Sequence, residues 1–114
     1  MNFHLKTPRF DEPAVIEIGF YGKESPDDPT QTGWRVYAEN GEPIGSPTVN
    51  LWSPPVFPAP GCVFIRVTDE YAGWLECFEE LGFVERTGRV ERAGFVERYA
   101  EECRVLLPEL IGEQ

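Results

Sequence analysis

The chain has little of the chemistry that small enzymes usually rely on. It holds one histidine, His4, so a hydrolase triad, a general base near neutral pH or a zinc site would rest on one imidazole without partners. His4 reads as a surface or strand residue. Its three cysteines, Cys62, Cys77 and Cys103, form no CxxC pair, which argues against a disulfide framework and a zinc ribbon. They read as small apolar residues in a reducing compartment. No GxxxxGK[ST] or GxGxxG run occurs, so phosphate cradling by a glycine-rich loop has no support. No stretch approaches the ~20 apolar residues of a membrane span, and MNFHLKTPRF lacks the apolar core of a secretory signal. These absences predict a cytoplasmic protein with no cofactor, no metal and no membrane partner.

Positive charge is the other shortage. Ten Lys and Arg stand against 20 Asp and Glu, a formal charge of −10. The charged fraction of 26% is ordinary for a folded domain, so the surplus is one of sign, not of quantity. Such a surface repels nucleic acid and anionic membranes and attracts basic partners.

What is present suffices for a core. At 114 residues one domain spanning 1–114 is expected, burying roughly two-thirds of its unfolded surface. Residues 1–13 read as an N-terminal arm or a short first strand. Ala14, Ile16, Ile18 and Phe20 alternate with Val15, Glu17, Gly19 and Tyr21, the period of a strand with one apolar face. Residues 22–33 form an acidic loop carrying Asp27 and Asp28.

Asn40-Gly41 is a type I′ hairpin signal, pairing Glu39 with Glu42, Val36 with Gly45 and Trp34 with Pro47. Pro43 and Pro47 then mark the returning strand as an edge. SPPVFPAPG is a stiff extended connection and CVFIRV another apolar strand.

Asp69 to Gly82 predicts a helix with Tyr71, Trp74, Leu75, Phe78 and Leu81 on one stripe, Thr68 or Asp69 capping its start and Gly82 in the left-handed position after its end. Glu70, Glu76, Glu79 and Glu80 occupy its other faces with no Lys or Arg on the helix to answer them. Val-Glu-Arg recurs at 84, 90 and 96, an even period that suits extended chain, so 84–92 and 94–99 read as short strands about a turn. Beyond Val96 the spacing of Phe95, Tyr99, Cys103, Leu106 and Leu110 favours a helix ending near Pro108. The fold class expected is α+β: a small antiparallel sheet of about four to five strands, including the Asn40-Gly41 hairpin, packed against one or two helices.

The succession GEPIGSPTVNL, WLECFEELGFVERTGR and RAGFVERY resembles a family of short proteins carried on conjugative elements and phages. The resemblance runs from about Gly33 to Tyr99, through Thr48-Val49-Asn50-Leu51, Thr87-Gly88-Arg89 and Ala93-Gly94-Phe95. It implies no catalytic residue. It implies the setting of mobile-element accessory genes, where anti-defence proteins are common, and a strand over 95–105 in place of the helix.

Asp27-Asp28 and Asp69-Glu70 are adjacent carboxylates, whereas two-metal or glycosidase chemistry needs carboxylates converging from separate elements. An enzyme holding a metal on the acidic loop is the least supported reading. Arg86, Arg89, Arg92 and Arg98 are interleaved with Glu85, Glu91 and Glu97, a near-neutral region consistent with cross-strand ion pairs and not with direct nucleic-acid binding. The leading expectation is a non-catalytic inhibitor, monomer or dimer, of the anti-CRISPR or anti-restriction type. It would dock Asp27, Asp28, Asp69, Glu70, Glu76, Glu79 and Glu80, with Trp52 and Tyr71, on a basic nucleic-acid-binding host defence effector. The alternative is a small accessory or assembly domain whose acidity serves solubility.

Overall fold

The apolar alternation around Ile16 forms an inner strand of a four-stranded antiparallel sheet. The computed structural model describes residues 1–20, 32–49, 51–52, 55–56, 58–93 and 96–111. Strands β1 (Asn2–Lys6), β2 (Asp11–Phe20), β3 (Thr32–Ala38) and β4 (Pro43–Gly45) pair in chain order. Residues 1–13 are therefore the first strand and the start of the second. The Met1 ammonium donates to the Ile16 carbonyl at 3.0 Å, and Leu5 is fully buried.

The hairpin at Asn40-Gly41 exists, with different turn chemistry. Gly41 has φ of 90° and no described non-glycine residue has a positive φ, so Asn40 does not adopt the left-handed conformation that a type I′ turn requires. The Gly41 amide donates to the Ala38 carbonyl at 2.9 Å and the Ala38 amide to the Glu42 carbonyl at 2.8 Å. This is a three-residue loop with a bulge at Gly41. A compensating irregularity between Val36 and Tyr37 restores the expected Val36–Gly45 pair. Strand β4 is the edge its prolines suggest, although Pro43 faces Tyr37 instead of Ala38.

Past Gly45 the chain crosses to a second sheet. Pro47 and Val49 bond along β7 (Cys62–Arg66): the Arg66 amide donates to the Pro47 carbonyl at 2.8 Å and the Val49 amide to the Phe64 carbonyl at 3.0 Å. Between them the buried Thr48 hydroxyl accepts the Trp34 amide at 2.8 Å, standing in for the strand that β3 has lost at that point. The proline-rich connection holds two short paired strands, β5 (Leu51–Trp52) and β6 (Pro55–Val56).

The second sheet has order β7-β9-β8, with β8 (Val84–Ala93) and β9 (Val96–Val105). The helix expected after Val96 is thus a strand, and the central one of its sheet. Pairing on both sides outweighs the helical spacing of Tyr99, Cys103 and Leu106. Only Pro108–Leu110 turns, as a 3-10 segment whose Leu110 carbonyl accepts Trp34 Nε1 at 2.8 Å. The structure fits the expected α+β class, but the single sheet of four to five strands is, among the described residues, a four-stranded and a three-stranded sheet. The two-stranded β5-β6 ribbon lies between them in sequence, and the helical content is one short α-helix and two 3-10 segments.

That helix, α1 (Trp74–Glu80), starts five residues later than expected. Asp69–Tyr71 is a separate 3-10 turn, and neither Thr68 nor Asp69 makes a capping hydrogen bond from its side chain to the helix. The break lies at Gly73, with φ of 86°, where an added Cβ would meet Pro8 Cδ at 2.6 Å. The far end follows expectation. Gly82 has φ of 76°, the Phe83 amide reaches the Phe78 carbonyl at 2.9 Å and the Gly82 amide the Glu79 carbonyl at 3.0 Å, a Schellman motif.

Helix α1 lays Trp74, Leu75, Cys77 and Phe78 into the core, while Leu81 stays exposed. Phe78 is the hub: its ring meets Trp34 at 5.4 Å, Phe3 at 5.9 Å, Phe83 at 6.1 Å and Trp74 at 6.2 Å between centroids. A smaller cluster of Val49, Phe64 and Ala100 lies apart from this core.

Candidate functional site

The acidic residues of the Asp69–Glu80 segment lie on the 3-10 turn and on α1. Asp69, Glu70, Glu76 and Glu80 are exposed and Glu79 is half-buried. No described ion pair involves Asp69, Glu70 or Glu80. Glu76 and Glu79, expected to stand unanswered, are both held by Arg86 of β8. Its Nε reaches Glu79 Oε1 at 2.9 Å and its Nη2 reaches Glu76 Oε2 at 2.8 Å. Its Nη1 reaches Glu101 Oε2 of β9 at 2.8 Å. Burial opposes the Arg86 charge, but the bonds to Glu79 and Glu76 and the field of Glu101 outweigh it and hold the guanidinium above its ordinary value.

Arg86 was the residue the sequence concealed. The interleaved charges suggested cross-strand ion pairs, and Glu85 does pair across β8 and β9 with Arg104 at 2.7 Å while Glu91 pairs within β8 with Arg89 at 2.9 Å. Nothing suggested that Arg86 reaches α1. The signal available was the tight left-handed turn at Gly82, which returns the chain along α1. The acids at Glu76 and Glu79 share one helix side, and the third residue of the strand that follows the turn meets them.

Tyr71 is not a free aromatic. Its hydroxyl accepts the Ser46 amide at 3.0 Å, and its ring sits 5.1 Å from that of Trp74. Asp27 and Asp28 lie outside the described residues. Trp52 is described only through its backbone pairing with Pro55. The structure thus places Asp69 and Glu70 on the 3-10 turn and Glu76, Glu79 and Glu80 on α1, and spends Tyr71 on packing.

A second charged cluster lies at Thr87-Gly88-Arg89, which is a bulge and not a turn between elements. Arg86 faces Cys103 and Val90 faces Glu101, so three residues of β8 stand opposite Glu102 alone. Gly88 supplies the required positive φ of 94°. Around the nearly buried Glu102 carboxylate gather the Thr87 hydroxyl at 2.8 Å, the Ala59 amide at 2.9 Å and Arg89 Nη1 at 3.0 Å. The Arg89 guanidinium also lies 5.2 Å from the centroid of the Phe64 ring. Burial pushes the Glu102 carboxyl up, but the Ala59 amide, Thr87 and Arg89 together hold it below the ordinary value.

His4 is exposed and pairs with Asp11 at 2.5 Å. Cys77 and Cys103 are buried free thiols, and burial pushes Cys103 up to about 12. Among the described residues no three His, Cys, Asp or Glu side chains are placed to hold a metal ion, and no helix is long and apolar enough to cross a membrane. No protein-family model matches this chain, and no curated protein and no solved structure is detectably similar to it.

Proposed function

We propose that the protein is a stoichiometric, non-catalytic binding protein that docks the Asp69–Glu80 ridge on a basic, nucleic-acid-binding surface of a host defence effector, as an anti-CRISPR or anti-restriction protein would. The observation that supports this reading is the charge of the ridge: five carboxylates on adjoining turns, with Arg86 the one described cation bridging any of them. Arg86 also fixes two of those carboxylates in space. Ordered negative charge is what a groove evolved for a phosphate backbone can recognise. The motif resemblance to mobile-element proteins points in the same direction.

The bridge to Arg86 decides how the test is built. Reversing Glu76 or Glu79 would set a cation against Arg86 and disturb the fold, so the informative variant is Asp69→Lys with Glu70→Lys and Glu80→Lys. The partner is first captured from host lysate and identified, then bound in purified form across a salt series. The reading expects a nucleic-acid-handling protein whose binding weakens with salt, competes with duplex DNA and is lost in the triple variant. Retained binding by the triple variant would remove the ridge from the mechanism. A second reading, that the acidity serves solubility in an accessory domain, is favoured by the internal use of Glu76, Glu79, Glu101 and Glu102. It expects the triple variant to precipitate more readily while binding any partner unchanged.

A further inference from the structure

In a chain with twice as many acidic as basic residues, most guanidinium groups should find a carboxylate. Arg86, Arg89 and Arg104 do. Among the described residues Arg9, Arg35, Arg66 and Arg92 have none, and of these Arg35 and Arg66 line the same cavity of about 420 Å³. That volume is within the range of small-molecule sites.

The cavity follows from the crossing between sheets. After Gly45 the chain leaves the edge of β3 to reach β7, opening a gap beside Gly33–Arg35 that Ser46 and Thr48 bound on the other side. Gly19 and Gly33, register partners on β2 and β3, place no side chain in it. Arg66, at the end of β7, closes one wall. Its Nε donates to the Ser46 carbonyl at 3.1 Å and its Nη1 to the Tyr99 hydroxyl at 2.7 Å, and the guanidinium carbon lies 5.7 Å and 5.8 Å from the Tyr71 and Tyr99 ring centroids. The group is half-buried and locked in orientation, yet Nη2 donates to nothing among the described residues. A partly desolvated cation without a counter-ion is costly, and an oxyanion in the cavity would relieve that cost with charge-assisted hydrogen bonds. Arg35 supplies a second guanidinium. Its register partner Glu17 also lines the cavity, and no ion pair joins the two.

We propose that this cavity binds a small molecule carrying an oxyanion, a phosphate monoester or a carboxylate, together with a hydroxyl or ammonium group. Arg66, already oriented by Ser46 and Tyr99, presents its free Nη2 to the oxyanion, and Arg35 closes on it from β3. Glu17 would repel a bare anion and accepts a hydrogen bond from the hydroxyl or ammonium group of the same molecule. The site is independent of the Asp69–Glu80 ridge proposed to dock a partner.

The test is titration of the full chain, followed by NMR of backbone amides and arginine Nε signals, with three probes: inorganic phosphate, ribose 5-phosphate and citrate. The expected result is a saturable shift at Gly33–Arg35, at Ser46–Thr48 and at Arg66 Nε. Phosphate against citrate distinguishes phosphoryl from carboxylate recognition. Ribose 5-phosphate should bind more tightly than inorganic phosphate, and Glu17→Gln should abolish that preference. Arg35→Ala alters an exposed side chain and should weaken binding about tenfold or more without unfolding. Arg66→Lys keeps the charge but loses the fork, and should lose binding with an intact amide spectrum; if it does not fold, Arg35→Ala and Glu17→Gln carry the test. No shift with any probe at millimolar concentration, or equal binding by Arg35→Ala, would overturn the site.

Discussion

Glu101 and Glu102 are neighbours in β9, both nearly buried, and each is held by a different arginine of β8: Glu101 by Arg86 at 2.8 Å and Glu102 by Arg89 at 3.0 Å. Consecutive strand residues point to opposite faces, so the two carboxylates act on opposite sides of the sheet. Glu101 ties β9 and β8 to α1 through Arg86. Glu102 closes the Thr87-Gly88-Arg89 bulge beside Phe64. Part of the acidic surplus is thus structural and unavailable to a partner.

Removing Arg86 should expose how much the fold depends on the first of these. Arg86→Met leaves Glu101 with only 6% of its side chain exposed and without that cation. Breaking a buried pair from one side costs about 3–5 kcal/mol, and the lower end applies because Arg86 is itself 31% exposed. Adding Glu101→Met should recover most of that loss, since an apolar pair of similar volume needs no counter-charge. Urea denaturation of the single and double variants measures both numbers. A double variant as unstable as Arg86→Met alone would show that Glu101 is not the group left stranded.

The Glu102 cluster predicts a pH dependence. Its carboxyl is held below the ordinary value of 4.5, so the folded state binds this proton less readily than the unfolded chain. The stabilisation is therefore complete above about 4.5 and is lost as pH falls through the folded value. Glu102→Gln should be less stable than the parent at pH 7, and the gap should close as pH drops below about 4.5. Thermal melts of both proteins from pH 7 to pH 3 measure the gap. A gap that stays constant would assign the loss to hydrogen-bond geometry instead of charge.

Much of this architecture was legible in local pattern, and the remainder depended on pairing partners far along the chain. The alternation at Ile16 and Ile18, the Asn40-Gly41 reversal and the Gly82 helix end each rest on a few neighbouring residues. The strand at Val96–Val105 does not. Its periodicity suits a helix, and only β7 and β8 on its two sides make it a strand. The late start of α1 was hidden for the same reason, because Pro8 and Thr7, remote in sequence, crowd Gly73. Of the ridge, the acids were visible and their shared cation was not. Arg35 and Arg66 carried a readable sign, a single charge within the otherwise apolar runs GWRVYA and CVFIRV, but their meeting in one cavity needed the crossing at Ser46–Thr48.

Gly73 gives a direct measure of that crowding. Gly73→Ala places a Cβ 2.6 Å from Pro8 Cδ at a backbone φ of 86° that L-residues rarely adopt. Both effects destabilise, and together should cost about 2 kcal/mol or more. Gly41→Ala makes a control, since its φ is 90° but no atom lies within 4 Å of the added Cβ, so it suffers the backbone strain alone. Denaturant midpoints of the two variants separate strain from clash. Equal losses would mean that the N-terminal hairpin yields at no cost.

The join between the sheets can be probed at Thr48, which is 1% exposed. Thr48→Val keeps the shape and deletes the hydroxyl that accepts the Trp34 amide at 2.8 Å. A buried backbone donor left unsatisfied costs about 1–3 kcal/mol. Phe78→Ala should cost more, about 3–5 kcal/mol, because it removes a fully buried ring that touches four others. The two differ in what they release. Phe78→Ala loosens the core throughout, whereas Thr48→Val frees one amide at the seam where β3 loses its neighbour. Hydrogen exchange should therefore show faster exchange confined to Trp34 and the 46–49 crossing in Thr48→Val, and spread across β1, α1 and β3 in Phe78→Ala. If Thr48→Val instead accelerated exchange as widely as Phe78→Ala, the crossing would be part of the global core and not a seam between two sheets.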